Sequence, residues 1–398
     1  MRRRLRLLCA DNTILIVSAI LALVSCFIVP PDARYAGYVH VSTIAQLVCL
    51  MIVVCGMQRI GVFRSIGARL LSRVRTQRGI VMCLVALTFV SAMFITNDVA
   101  LVTFIPFAIS VLIMAGMQAD TIFVCTLMTV AANMGSMLTP IGNAHNLYLK
   151  AVSGMSTLDF LRLMAPYSAV AAVLLVLLVV VVFSRRGGVA MPDGDGASLE
   201  RRVLAPLSDK PAPDEIRLMG YGSGSRPWRL GLYAALFVIC LLAVGGIVPL
   251  WAMILCVPVA FAFCDRRVFL TMDWGLPLTF VMFFVFIGNM RRIPAFLAMA
   301  EALVGNHPLE VAVGFSQIIS NVPTTLLLTG FSGAWKPLII GTNLGGMGTL
   351  IASMASLVSY KNVTMHYPHG KTRYLLVYSA VNVVFLAVLV AASWAMGY

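Results

Sequence analysis

Apolar residues fill most of this chain in long runs, and short polar segments separate the runs. Nine runs are close to the ~20 residues that a helix needs to cross a membrane. The predicted spans are 13–30, 40–58, 119–140, 158–184, 229–246, 248–264, 274–290, 334–356 and 373–396. The pattern predicts an all-α polytopic membrane protein with about nine full spans, and a retained first span rather than a signal peptide.

Two further apolar segments, 79–115 and 309–332, are interrupted at their centres by polar residues. The first arm of the second segment, Leu309–Ile319, is only about 16 Å long at ~1.5 Å per residue. It is too short to cross, so we predict a re-entrant hairpin with Ser320–Pro323 at its tip. Both arms of 79–115 could just span, which leaves two ordinary helices as the alternative. The matching layout of the second half favours a hairpin.

Each hairpin is followed by a span that contains a second polar break. The breaks are Asn133–Asn143 in the first half and Gly341–Thr349 in the second. In both halves the order is a span, an amphipathic or interrupted stretch, a hairpin, a broken span and a span. We therefore predict an inverted repeat of 1–184 and 229–398 with two re-entrant hairpins and two broken helices. The unperiodic segment 185–228 is predicted to be a flexible cytoplasmic linker.

Composition agrees with a membrane protein and charge predicts its orientation. The chain is 60% hydrophobic and 11% charged, with a mean hydropathy of +0.95. The net charge of +14 does not indicate nucleic acid, because most of the 29 Lys and Arg residues lie in short loops between spans. Their distribution places the N-terminus in the cytoplasm and the C-terminus outside, in a cell (inner) membrane. The nine cysteines form no metal-binding or disulfide pattern.

The two breaks of each half carry the groups that could bind ions. Peptide groups at a break inside a membrane must bind each other, a side chain or a ligand. Carbonyl oxygens of an unwound turn are suitable ligands for Na⁺, whereas the N-termini of helices favour a bound anion. Asp98 is the one acidic residue well inside an apolar segment, and it is interpreted as an ion-binding group rather than a hydrated tip or a helix cap. His145 is expected at the surface or at a helix cap.

Motifs typical of enzymes are missing from the sequence. It contains no His-Glu-x-x-His and no Gly-x-Ser-x-Gly. The glycines of 345–348 lie in a span with no strand before them, so they do not predict a nucleotide-binding loop. We therefore expect no enzyme activity and no cofactor apart from a coupling ion.

The most specific segments are Thr96–Leu101, Gly135–Asn143, Ser320–Thr324 and Gly341–Gly346. In these segments the chain resembles the ion-transporter superfamily, and more closely the citrate transporter-like permeases. Those permeases are similar to the divalent anion/sodium symporters and to the arsenite permease/sodium–proton antiporter group. The resemblance implies an elevator-type carrier, commonly a homodimer, whose hairpin tips and unwound helices hold substrate and coupling ions.

The tips depart from the Ser-Asn-Thr of the symporters. Thr96 replaces Ser and Asp98 replaces Thr at the first tip, while Val322 and Pro323 follow Asn321 at the second. The Asn-Asp pair is more similar to the arsenite and antiporter group. An acidic residue beside a bound dicarboxylate would repel it unless the residue is neutralised.

We interpret the protein as a secondary active transporter that moves a small, di- or tricarboxylate-like anion with Na⁺ or H⁺. The expected substrate-binding residues are Asn97, Asn143, Asn321, Thr324 and Asn343. The expected cation-binding residues are Thr96, Asp98, Thr139 and Gly142 at the first break, and Ser320, Gly346, Gly348 and Thr349 at the second. The alternative is a sodium/proton antiporter or an arsenite efflux permease using Asp98. Two hypotheses from other functional classes are a passive channel and a membrane sensor.

Overall fold

The computed structural model describes residues 13–184, 227–305 and 307–398, and within these ranges it is helical with no strand. The all-α prediction is confirmed. The predicted linker, apart from its last residues, and the arginines before residue 13 lie outside the described residues.

Eighteen α-helices make up the described chain. In chain order they are α1 Thr13–Ile28, α2 Val41–Arg59, α3 Val62–Leu71, α4 Gln77–Ile95, α5 Asn97–Met114, α6 Thr121–Ser136, α7 Ala144–Ser153, α8 Thr157–Val182, α9 Pro227–Val244, α10 Leu250–Cys264, α11 Val268–Thr271, α12 Gly275–Met290, α13 Pro294–Val304, α14 Pro308–Ile319, α15 Asn321–Thr329, α16 Trp335–Leu344, α17 Met354–His366 and α18 Lys371–Ala395.

The helices repeat in the same order in the two halves. Helices α2 to α8 form a span, a short helix, a two-helix hairpin, a helix broken into two pieces and a final long helix. Helices α12 to α18 follow the same sequence of elements. The order of elements that the hydrophobic pattern predicted is therefore present in both halves.

Helix length and apolarity agree with a protein that crosses the membrane several times. Among the described residues, five helices are long and apolar enough to span on their own. A sixth span results if α12 and α13, which meet at a bend of 107°, are counted together. Helices α1 and α10 are apolar but shorter, at 16 and 15 residues. Large side chains such as Phe263 and Leu270 are more than 80% exposed, as expected for residues that face lipid.

The two hairpins differ in the length of their arms. Helices α14 and α15 of the second hairpin have 12 and 9 residues, about 18 and 14 Å at ~1.5 Å per residue. Neither can cross a ~30 Å hydrocarbon core. Helices α4 and α5 of the first hairpin have 19 and 18 residues, and each is long enough to cross.

The two broken helices extend further than the hydrophobic pattern predicted. We predicted broken spans that end at 140 and 356, but the second pieces, α7 and α17, continue to Ser153 and His366. Polar residues on these pieces lower the local hydropathy, so the apolar pattern ends before the helix does. They are buried nevertheless, because hydrogen-bond partners on other helices satisfy them. Ser356 accepts a 2.6 Å hydrogen bond from the Tyr378 hydroxyl, and the Ser359 and Tyr374 hydroxyls are 2.8 Å apart.

A single large hydrophobic core holds the first hairpin against the first broken helix. Gly135 of α6 lies so close to α4 that a Cβ there would be 2.0 Å from the Phe89 carbonyl oxygen. Glycine is needed at this position because any side chain would separate the two helices. The close approach sets where the hairpin tip meets the break.

Candidate functional site

The two hairpin tips have the same unusual backbone conformation. Thr96 has φ 68° and ψ 150°, and Ser320 has φ 74° and ψ 153°. They are the only non-glycine residues with positive φ in the described part of the chain. This conformation is strained for residues with a Cβ, and such strain concentrates at functional sites. The tips predicted from the sequence therefore lie where the chain reverses.

Each tip is hydrogen-bonded to the break of the broken helix that follows it. The backbone N–H of Asn97 donates to the Gly142 carbonyl at 3.1 Å, and the backbone N–H of Asn321 donates to the Ala352 carbonyl at 2.9 Å. A threonine hydroxyl makes a second matching bond. Thr139 donates to the Met93 carbonyl, and Thr349 donates to the Gln317 carbonyl. The first hairpin thus meets its break in the same way as the second.

The two tips and two breaks converge on one small central cavity. Its volume is about 10 Å³, close to the space that one water molecule needs. The residues that line this central cavity are Asn97, Asp98, Asn143, Ala144, Leu276, Asn321, Val322, Ser353 and Met354. Elements that lie more than 200 residues apart in the sequence therefore form one site.

Four helix N-termini meet at the central cavity. They are the starts of α5, α7, α15 and α17, at Asn97, Ala144, Asn321 and Met354. None of the four is capped by a hydrogen bond from the side chain of its N-cap residue. Each N-terminus directs the positive end of its helix dipole towards the cavity, which favours a bound anion. The chemistry of this cavity therefore suits a small anion.

Asp98 adds the one carboxylate of the central cavity. Its Oδ1 atom is buried and has no hydrogen-bond partner in the described structure, while its backbone N–H donates to Asn97 Oδ1 at 3.0 Å. Burying a carboxylate oxygen without a partner is costly. A bound cation or proton would remove that cost, so Asp98 is suited to bind one.

Asp98 also lines a larger cavity of about 280 Å³, close to the lower end of small-molecule sites at roughly 300 Å³. Its polar lining includes Gln58, Thr271 and the carboxylate of Asp273. Leu276, Val322 and Met354 line both cavities. The larger cavity therefore adjoins the central cavity at Asp98.

A network of side-chain amides joins the two halves beside the central cavity. The Asn97 side chain donates to Asn133 Oδ1 at 3.0 Å, and Ser353 donates to the same oxygen at 3.2 Å. Asn146 and Asn343 form a reciprocal pair, with bonds of 3.0 and 2.7 Å. The predicted substrate ligand Asn343 is thus committed to Asn146 and to the Ile339 carbonyl, and it does not line the central cavity.

The remaining predicted residues support the site from outside the cavity. Thr96 and Ser320 form the tips, while Thr139 and Gly142 bond the first tip to its break. Thr324 is buried, and its hydroxyl has no partner in the described structure. Near the second break, the Gln317 side chain bonds the segment that contains Gly346, Gly348 and Thr349.

Sequence reasoning missed Asn133, Asn146, Ser353 and the burial of His145. His145 was expected at the surface or at a helix cap, but it is fully buried in the first turn of α7. The internal repeat carried a signal for Ser353. A spacing of 210 residues separates Asn133 from Asn343, and the same spacing relates Asn143 to Ser353.

Comparison with known proteins agrees with this architecture. A model of the citrate transporter family matches residues 10–334. Inner membrane protein YbiR of Escherichia coli strain K12 is 30% identical over 327 residues, which cover 80% of this chain and 79% of that protein. Uncharacterized transporter MJ0456 of Methanocaldococcus jannaschii is 29% identical over 360 residues, or 88% of each chain. The chain is a multi-pass membrane transporter that belongs to the citrate transporter family.

Proposed function

We propose that this protein is a secondary active transporter that moves a small di- or tricarboxylate-like anion together with Na⁺ or H⁺. The observation that carries the proposal is the convergence of four uncapped helix N-termini on one cavity that also contains Asp98. The N-termini attract the anion. The carboxylate would repel it unless a cation or proton is bound, and this links the two binding events.

The side chains divide between the two ligands in this proposal. Asn321 and Asn143 line the central cavity and are placed to contact the anion, and Asn97 fixes the first tip through Asn133. Asp98 holds the coupling cation. In this proposal Thr324, whose buried hydroxyl has no partner in the described structure, donates to the anion when the tips separate.

Access to the site requires a change of conformation. The central cavity holds about one water molecule, so a carboxylate substrate enters only when a tip moves away from its break. An elevator-type movement of the hairpins and broken helices against α1, α2 and α12 supplies this change. In this proposal the N-terminus lies in the cytoplasm, as the distribution of Lys and Arg predicts. Two copies form the functional unit, as in the carriers that this chain resembles.

Uptake of radiolabelled citrate and succinate into proteoliposomes tests the proposal, with and without an inward Na⁺ or H⁺ gradient. We expect gradient-dependent uptake by the wild type and a loss of at least about tenfold, ~1.4 kcal/mol, for Asn321→Ala and Asn97→Ala. Asn362→Ala is the matched control, because within the described residues the Asn362 side chain bonds only the Val358 carbonyl of its own helix. Unchanged uptake in Asn97→Ala and Asn321→Ala would show that the site assignment is wrong.

The second candidate is a sodium/proton antiporter or an arsenite efflux permease. The observation in its favour is Asp98 itself, a carboxylate beside the positions where an anion would lie. In that case the proteoliposomes take up no carboxylate, and Na⁺-driven proton movement or arsenite flux depends on Asp98. Flux that is insensitive to both gradients would instead indicate a channel.

A further inference from the structure

The second break contains a side chain at the place where a cation was expected. Gln317 lies three residues before the tip at Ser320 and is partly buried. Its Nε2 atom donates to the carbonyls of Gly345 at 2.9 Å and Met347 at 2.8 Å, and its Oε1 atom accepts from the Thr349 amide at 2.8 Å. The amide therefore binds the expected ligand Thr349 at its backbone N–H, together with the carbonyls of Gly345 and Met347, which are the sequence neighbours of the expected ligands Gly346 and Gly348.

A glutamine amide can satisfy these carbonyls in the way that a cation would. Two inward-facing carbonyl oxygens need a positive partner where water is scarce. The NH₂ group of Gln317 supplies two hydrogens with partial positive charge. The break is shaped to this side chain, because a Cβ at Gly348 would be 2.3 Å from Gln317 Oε1.

The equivalent position of the first break carries no such group. The Thr349 hydroxyl donates to the backbone carbonyl of Gln317, and the Thr139 hydroxyl donates in the same way to the backbone carbonyl of Met93. Met93 therefore corresponds to Gln317, and its thioether has no N–H to donate. The acidic residue shows the opposite asymmetry, since Asp98 follows the first tip asparagine and Val322 follows the second.

We propose that the Gln317 amide is a permanent substitute for a cation at the second break, so that the protein binds a coupling cation only at the first break. The proposal replaces the two cation sites expected from the sequence with one. Its statement about coupling rests on the proposed transport function. Its statement about Gln317 concerns cation binding and stands without any substrate.

Equilibrium binding of ²²Na⁺ to the purified full-length protein tests the proposal directly. We expect Gln317→Ala and Gln317→Glu each to bind one Na⁺ more per chain than the wild type. The glutamate is close in shape to glutamine but would face the Gly345 and Met347 carbonyls with its own oxygens, so it needs a cation there. Gln118→Ala is the control, because it removes a glutamine that bonds a backbone carbonyl, that of Ile113, away from both breaks. We expect it to bind as many Na⁺ as the wild type.

Thermal melting in Na⁺ and in choline provides a second measurement on the same variants. Gln317→Glu should gain stability in Na⁺ relative to choline, by more than the wild type does. Folded Gln317→Ala and Gln317→Glu proteins that gain neither a Na⁺ nor a Na⁺-dependent shift would overturn the proposal. Two Na⁺ bound per wild-type chain would overturn it as well.

The same binding data separate this proposal from the proposed function. If the wild type binds no Na⁺ and the Gln317 variants bind one, the substitution by Gln317 is supported and Na⁺ coupling is excluded. If the wild type binds one Na⁺ that Asp98→Asn abolishes while the Gln317 variants gain none, Na⁺ binding at Asp98 is supported and the role of Gln317 is wrong.

Discussion

The two hairpin tips share a backbone and differ in the chemistry of their side chains. Thr96 and Ser320 adopt the same dihedral angles within a few degrees, and both are followed by an asparagine whose amide bonds the facing break. Beside the first tip lie Asp98 and Met93. Beside the second lie Val322 and Gln317.

This difference separates what the fold requires from what the ligands require. Buried peptide groups at a tip must find partners whatever the protein transports, so both tips keep the same hydrogen bonds. Charge is not a requirement of the fold, and a buried carboxylate is costly. Its presence at only one tip indicates a function specific to the first half. The following predictions test that distinction.

The largest effect is expected from Asp98→Asn. The amide keeps the size of the side chain but has no negative charge to offset a cation and no proton to exchange, so coupled uptake should fall by about 100-fold, ~2.8 kcal/mol. Asp159→Asn is the control, since Asp159 is exposed and pairs with Arg162 at 3.7 Å. Proteoliposome uptake that survives in Asp98→Asn would remove the functional difference between the tips.

Alanine at Gly135 should destabilise the first half more than alanine at Gly345 destabilises the second. The new Cβ would lie 2.0 Å from a backbone oxygen, that of Phe89, in the first case. In the second, the nearest backbone oxygen, that of Gly341, is 2.8 Å away, and the Ser316 hydroxyl is 2.6 Å away. We expect a loss of about 1–3 kcal/mol for Gly135→Ala and less for Gly345→Ala, measured by thermal melting in detergent. Gly314→Ala, whose Cβ meets nothing within 4 Å, should not destabilise the protein. Equal losses at the two glycines would contradict the prediction.

Each break has a threonine whose hydroxyl bonds the preceding hairpin. Replacing this threonine by valine should lower the free energy of unfolding by about 1 kcal/mol at the first break and by less at the second. The Thr139 hydroxyl donates to Met93 and accepts from the Gly142 amide at 3.0 Å, so Thr139→Val removes two bonds. Thr349 is exposed, and solvent or headgroups can replace its single hydroxyl bond to Gln317. Melting of the two valine variants side by side measures the difference, and the reverse order would refute it.

The smallest effect is expected from Asp273→Asn in the larger cavity. Asp273 lines the same 280 Å³ space as Asp98 and raises the local concentration of cations. Its loss should raise the half-saturating concentration of the coupling cation by about threefold at low salt, and the difference should shrink as ionic strength rises. Asp120→Asn changes the same charge away from this cavity and serves as the control. A salt-independent change would indicate a structural role for Asp273.

The order of the elements could be predicted from the sequence because apolar length and polar interruptions follow from the membrane itself. Leu309–Ile319 is too short to span in any arrangement, and the structure ends α14 at Ile319. The partners of the polar groups could not be predicted in the same way. Ser353 lines the central cavity, and Asn133, 220 residues earlier, is joined to it by a hydrogen bond that the hydrophobic pattern does not indicate. The burial of His145 likewise depends on helices from the other half.

Gln317 shows why a correct motif can lead to an incomplete ligand assignment. The glycines and threonine of 345–349 indicated an unwound, carbonyl-rich segment, and the structure contains one. What fills that segment depends on Gln317 of α14, the first arm of the second hairpin, whose side-chain direction is set by packing. The sequence pattern therefore located the break but did not distinguish a bound ion from a bound side chain.

The reciprocal amide pair of Asn146 and Asn343 determines which parts of the molecule can move independently. It joins one piece of each broken helix, and the Ser353–Asn133 bond joins the others. Sliding one half past the other at this point would break buried hydrogen bonds where no water can replace them. In the proposed elevator movement, the two broken helices would therefore travel as one rigid body, with its boundary at apolar contacts such as those around Leu276 and Val322. The anion and its coupling cation would then be carried and released on the same side in a single stroke.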